Sequence, residues 1–147
     1  MSSRRSTRHA VPDFEISTDR SRIDLDVVHG FLTTSYWGQG RTRETVERAL
    51  ANSICFGIYK DGAQVGFGRI VTDRAIFAYL ADIFVLPGYR GRGLGKALVR
   101  AMLDHPDVRG LPAVLLRTRD AHGLYAQCGF EPAIRPDELM TLRVWSA

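Results

Sequence analysis

The stretch LADIFVLPGYRGRGLGKALV, residues 80–99, decides how the rest of the chain is read. An apolar run ends at Leu86-Pro87, and glycines then alternate with other residues at positions 91, 93 and 95. Beyond them Leu94, Ala97, Leu98, Ala101 and Met102 recur at i, i+3, i+4, i+7 and i+8, the mark of a helix with one buried stripe. A strand therefore passes through a glycine turn into a helix, with three cations, Arg90, Arg92 and Lys96, in the turn. Glycine lets a ligand approach the backbone closely, and the free N–H groups and dipole at a helix start both favour an anion. Two familiar phosphate cradles do not fit. A Walker loop counted back from Gly95-Lys96 needs glycine where Arg90 stands and Ser or Thr where Ala97 stands. A dinucleotide fingerprint fails because Gly91 and Gly93 lead to Lys96, while Gly93 and Gly95 lead to Leu98.

Upstream, the runs 54–60 and 63–71 flank Asp61-Gly62, the signal for a tight type I′ hairpin, and a second turn at 72–74 leads into strand 76–85. The three form an antiparallel meander. Downstream, His105-Pro106 ends the helix over 93–104, and AVLLRT at 113–118 reads as a strand, which completes a parallel βαβ unit. A short helix around 121–128 and a last strand near 139–145 follow. Before the meander, residues 14–18 suit a short strand. Asp24 suits the cap of a helix burying Val28, Phe31 and Leu32, and Thr42 the cap of a second helix burying Val46, Ala49 and Leu50.

With 147 residues, 45% apolar and 24% charged, the chain suits one compact soluble domain: a flexible basic tail over 1–12 and a single domain over 13–147. Every apolar run is broken by charge well short of the roughly 20 residues a membrane helix needs. The N-terminal residues lack an apolar core after their arginines, so a cytoplasmic protein is expected. Cys55 and Cys128 have no metal-ligand spacing and read as two reduced thiols in or near a core. The net charge of +4 is concentrated in the tail and in residues 90–100, which favours a small polyanion over a long one.

The hexapeptide Arg90-Gly91-Arg92-Gly93-Leu94-Gly95 resembles the acyl-CoA pyrophosphate loop of the GCN5-related N-acetyltransferase (GNAT) superfamily, and Leu124 to Phe130, LYAQCGF, resembles that family's later L-Y-x-x-x-G-F motif. The two lie in the family's order. The resemblance implies a mixed, mostly antiparallel α/β sheet of about six to seven strands with about four helices, splayed between strands four and five. It also implies acetyl-CoA as acyl donor without a metal, a small amine as acceptor, and no nucleic-acid or membrane partner. Homodimers are common in the family.

By motif position the resemblance places Phe84 and Val85 beside the pantetheine arm, with the Val85 N–H as oxyanion donor, and assigns the cofactor loop to Arg90, Gly91, Arg92, Gly93, Leu94, Gly95 and Lys96. Tyr125 falls on the general-acid position, against the alternative that its ring only packs. Asp82 is a carboxylate in an apolar strand, catalytic or structural. The Glu that serves as base in polyamine-acting relatives is Ala81 here, which leaves Asp82, His122 or water for that role. An Asn common seven residues before the Tyr is replaced by Thr118. Tyr36 and Trp37 sit where the family builds its acceptor pocket, and either stack on a substrate or belong to the core.

The expected function is transfer of an acetyl group from acetyl-CoA to a primary amine by direct attack, since neither cysteine has a matched base in sequence. A non-catalytic acyl-CoA sensor on the same fold is the alternative. A nucleic-acid-binding protein would show strong salt dependence, and no helix-turn-helix or aromatic RNA-binding signature supports one.

Overall fold

The computed structural model describes residues 11–133 and 135–142. Five strands, β1 (Glu15–Ser17), β2 (Ile54–Lys60), β3 (Ala63–Thr72), β4 (Phe77–Val85) and β5 (Ala113–Leu116), form one sheet in that spatial order. All neighbours are antiparallel except β4 and β5, which are parallel. Four helices accompany them: α1 (Leu25–Leu32), α2 (Arg43–Ala51), α3 (Leu94–Leu103) and the short α4 (His122–Ala126). The strand count is five among the described residues, below the expected six to seven. Residues 139–142 of the expected last strand carry no regular structure, and the rest of that stretch lies outside the described residues.

Local chemistry accounts for each element. The β2–β3 turn has positive φ at both Asp61 (50°) and Gly62 (84°), the backbone a type I′ hairpin requires. The Asp24 carboxylate accepts from the N–H groups of Asp26 and Val27, and Thr42 Oγ1 from that of Thr45, so both early helices start at the residues chosen for them. Buried Gln64 ties the start of α1 to the sheet, accepting from the Asp24 N–H at 2.7 Å and donating to the Gly66 carbonyl. Arg20 donates to the Leu50, Ala51 and Ser53 carbonyls and closes the C-terminal end of α2.

Two hydrophobic clusters flank the sheet. On one face α3 buries Leu94, Leu98, Val99 and Met102 against Phe56, Ile58, Ile70 and Leu80. On the other, Val28, Leu32, Val46 and Leu50 of α1 and α2 cover Cys55, Phe67 and Phe84. Strand β4 exchanges its faces between these clusters. Ala78 and Leu80 point to the α3 side, but beyond a bulge it is Ile83 and Val85 that do so, while Phe84 stacks on Phe31 at 4.1 Å on the other side. The extra residue lies between Ala81 and Phe84, opposite Gly68, and Asp82 there has φ +55°. A Cβ on Gly68 would lie 2.9 Å from Met102 Sδ, so this glycine lets α3 close onto the bulge.

Pairing of β4 with β5 runs from Phe77↔Ala113 to Leu80↔Leu116. The rest of β4, Ala81–Val85, has no partner on that side among the described residues. The sheet is therefore splayed after Leu80, beginning at the bulge, and the glycine turn opens at the far end of the unpaired segment.

Candidate active site

The turn is built by backbone conformation. Gly91 and Gly93 have φ of 80° and 78°, and Gly93 is the N-cap of α3 with no side chain capping the helix. The first intrahelical bond runs from the Ala97 N–H to the Gly93 carbonyl, so the N–H groups of Leu94, Gly95 and Lys96 have no partner within the helix. A Cβ built on Gly91 or Gly93 meets nothing within 4 Å, which leaves the approach open. These features suit a pyrophosphate: three directed donors, a positive dipole end and nearby cations. The cations differ in freedom. Arg90 Nε donates to the Val85 carbonyl at 3.0 Å, and the Arg92 guanidinium lies 5.6 Å from the Tyr89 ring centre and 6.0 Å from that of Phe14. The Leu94 side chain is core, so only its backbone can serve a ligand.

At the end of β4 the Leu86 N–H donates to the Val65 carbonyl, which makes Gly66 and Val85 a non-hydrogen-bonded pair. The Val85 N–H thus faces away from β3, into the splay. The Phe84 ring belongs to the cluster under α1, so Phe84 borders the splay through its backbone alone.

Helix α4 adjoins the start of α3: a Cβ on Gly95 would lie 3.5 Å from Leu124 Cδ2. Its next residue, Tyr125, is half-buried and meets the Phe130 ring in a T-shaped contact. Burial, with the Tyr36 phenol and the Asp120 carboxylate nearby, pushes the Tyr125 phenol up to about 12. Thr118 Oγ1 accepts from the Ala121 N–H and so shapes the turn into α4, and His122 is exposed in the first turn of that helix.

Asp82 is buried and its carboxylate is fully engaged. Oδ1 accepts from Trp37 Nε1 at 2.9 Å and Arg41 Nη1 at 2.9 Å; Oδ2 accepts from Arg69 Nε at 2.7 Å and Arg41 Nη1 at 3.0 Å. Burial alone would raise this carboxyl, but the hydrogen bond and charge of Arg69, with Arg41 beside it, hold it below the ordinary carboxylate value. Arg69 reaches on to Ser53 Oγ, and His29 Nε2 hydrogen-bonds the Arg41 carbonyl at 3.0 Å.

The loop between α1 and α2 is thereby strapped across the splay. Trp37 and Arg41 hold it to β4. Tyr36 holds it to the β5–α4 loop, where its hydroxyl accepts from the Arg119 N–H at 3.1 Å and its ring carries the Arg119 guanidinium at 3.7 Å. Tyr36 and Trp37 pack edge to face at 5.1 Å and stay partly exposed, at 41% and 37%. The structure thus gathers Tyr36, Trp37, Asp82, Val85, Tyr125 and the glycine turn around one gap. Arg41, Arg69, Arg119 and Asp120 join them without having been singled out in the sequence. Only the surplus of donors that a buried Asp82 demands pointed toward such partners, and it did not say which arginines would supply them.

Cys55 is buried, burial pushes its thiol up, and its sulfur donates to the Leu50 carbonyl. Among the described residues no group of three or more His, Cys, Asp or Glu could hold a metal, and no helix is long and apolar enough to cross a membrane.

Residues 25–130 match the model of the acetyltransferase (GNAT) family. A solved structure from Xanthomonas campestris pv. campestris, described as belonging to the GNAT family of acetyltransferases, is 46% identical; it superposes with a TM-score of 0.87 over 92% of this chain and 96% of that one. A protein of Gibberella zeae named as an acetyltransferase is 27% identical over 139 residues, 78% of this chain and 77% of its own length. Glucosamine 6-phosphate N-acetyltransferase 1 of Oryza sativa subsp. japonica is 40% identical over 76 residues, which is 47% of this chain and 46% of the rice protein.

Proposed function

The chain belongs to the acetyltransferase (GNAT) family, and we propose that it moves an acetyl group from acetyl-CoA to a primary amine of a small acceptor by direct attack. The observation that carries this reading is the convergence on one splay of a backbone anion cradle at Gly91–Lys96, the inward Val85 N–H and the Tyr125 phenol. The N–H groups of Leu94, Gly95 and Lys96, with Arg90, Arg92 and Lys96 around them, would hold the pyrophosphate. The bound donor supplies a thioester, a carbonyl activated toward amines.

The chain's own groups do the rest. The Val85 N–H donates to the oxygen on which charge develops, a contact fixed in advance by the strand. Tyr125 keeps its proton throughout the neutral range and offers it to the departing sulfur. Asp82, held anionic by two arginines, is a poor proton acceptor, and we assign it to positioning: it sets the Trp37–Arg41 segment over the gap. The amine's proton leaves to solvent through the open mouth. Direct attack is supported by the thiols, since Cys55 is buried with its sulfur donating to a backbone carbonyl and the half-buried Cys128 thiol has no base hydrogen-bonded to it among the described residues.

Amine-dependent release of CoA tests the reading. Acetyl-CoA should bind in calorimetry, and a panel of primary amines should release thiol. Tyr125→Phe should lower kcat about 100-fold while acetyl-CoA still binds, the loss typical of a removed proton donor. Because the phenol's pKa is raised to about 12, the rate should show no alkaline loss from this group below about pH 10. Binding without amine-dependent release would make the protein an acyl-CoA sensor instead.

A further inference from the structure

We propose that the acceptor amine also carries an anionic oxygen group, a carboxylate or a phosphate, which docks on Arg41 and Arg119. This inference rests on the acetyltransferase reading and names the acceptor class for that same site.

The argument starts from the charge around Asp82. One buried carboxylate faces two guanidinium groups and an indole N–H, so its charge is more than matched. Arg69 is nearly enclosed, with 14% of its side chain exposed, whereas Arg41 keeps 30%. The surplus positive charge therefore reaches solvent through Arg41. That residue spends only Nη1 on the carboxylate, and its Nε and Nη2 have no hydrogen-bond partner among the described residues. A fork with two free donors, anchored through both backbone and side chain, is preorganised for a planar or tetrahedral oxyanion.

Arg119 supplies the second contact. Its guanidinium lies over the Tyr36 ring, 3.7 Å from the ring centre, and pairs with no carboxylate among the described residues. A guanidinium held over an aromatic ring loses none of its N–H donors to that contact, so they stay available to an oxyanion. The edge-to-face pair Tyr36–Trp37 joins the two arginines: Trp37 shares the Asp82 carboxylate with Arg41, and Tyr36 carries Arg119. The mouth is thus an aromatic step with a cation at each end. Asp120, on the β5–α4 loop, has no ion-pair partner among the described residues and its charge acts on the Tyr125 phenol, so the ammonium end of such an acceptor has its own attraction toward the reacting side. A polycationic acceptor meets the opposite arrangement, with ammonium groups set against two arginines.

The test uses matched pairs at low ionic strength: alanine against alaninamide, O-phosphoethanolamine against ethanolamine, and spermidine as the polycation. CoA release gives kcat/KM, and titration of each amine into the CoA-loaded protein gives binding without turnover. The anionic member of at least one pair should be preferred by about tenfold or more, the size of one charge-assisted contact, and salt should erode the preference. Which pair shows it distinguishes carboxylate from phosphate. Arg119→Gln should raise KM for that anion about tenfold with little change in kcat, and Arg119→Lys should restore part of it. Neutral amines or spermidine turned over as well as the anions would overturn the inference and leave the acetyltransferase reading intact. Anion-selective binding lost in Arg119→Gln, without release by any amine, would establish the anion site but overturn its assignment to an acetyl acceptor, together with the activity. Acetyl-CoA bound with no amine bound or acetylated would overturn both.

Discussion

The two walls of the gap are made in different ways. The glycine turn is local: about six consecutive residues set its shape through positive φ at Gly91 and Gly93 and through the uncapped start of α3, and side chains contribute only charge. The acceptor wall is non-local. Trp37 and Arg41 reach β4 across more than forty positions, and Tyr36 meets Arg119 across 83. A backbone device tolerates many side-chain changes and fails when its φ angles are denied. A side-chain network fails when its central charge is removed.

The largest effect should come from Asp82→Asn. Removing the charge leaves Arg41 and Arg69 without their shared anion, and breaking a buried pair in this way costs about 3 kcal/mol or more. Chemical denaturation should show that loss, while acetyl-CoA affinity of the folded fraction is retained. A loss of affinity instead would break the comparison, because it would tie the turn to the network. The same group has a pH signature. Its folded pKa is depressed, so its contribution is fully present above the ordinary carboxylate range near pH 4 and is lost as pH falls through the lower folded value. The natural protein should lose stability below about pH 4, and Asp82→Asn should flatten that limb.

Next in size is Gly93→Glu. At φ 78° a side chain costs about 1–2 kcal/mol, and the added carboxylate stands where an anion is to bind. Acetyl-CoA affinity should fall about 100-fold. Gly93→Ala carries the strain without the charge and should lose distinctly less. Equal losses in the two variants would show that backbone shape alone, rather than the field at the helix start, does the binding.

This contrast also explains what could be read from the sequence. The meander, the Asp61-Gly62 hairpin and the strand–turn–helix passage were legible because each is encoded by neighbours a few positions apart. Both helix caps were legible for the same reason, since Asp24 and Thr42 act within three residues of themselves. The bulge was not. Strict alternation along an unbroken strand puts Ala78, Leu80, Asp82 and Phe84 on one face, whereas the bulge with positive φ at Asp82 moves Phe84 to the opposite core. Asp82 stood out only as a carboxylate in apolar surroundings. Its partners Trp37, Arg41 and Arg69 come from a separate loop and strand, and among the chain's many arginines no local pattern marks the two that close on it.

The smallest prediction, Trp37→Phe, separates holding the acceptor wall from merely filling it. Phenylalanine keeps a ring that can pack near Phe31 and against Tyr36, but it lacks the indole N–H that donates to Asp82 Oδ1. That oxygen still accepts from Arg41 and its partner Oδ2 from Arg69, so no buried charge is stranded, and stability should fall by only about 1 kcal/mol. If the indole bond sets the loop over the gap, the KM for the acceptor should rise several-fold with acetyl-CoA affinity unchanged. The arginines should hold the rest of the wall in place. An unchanged acceptor KM would mean that Arg41 and the Tyr36–Arg119 stack suffice, and that Trp37 serves the wall by packing alone.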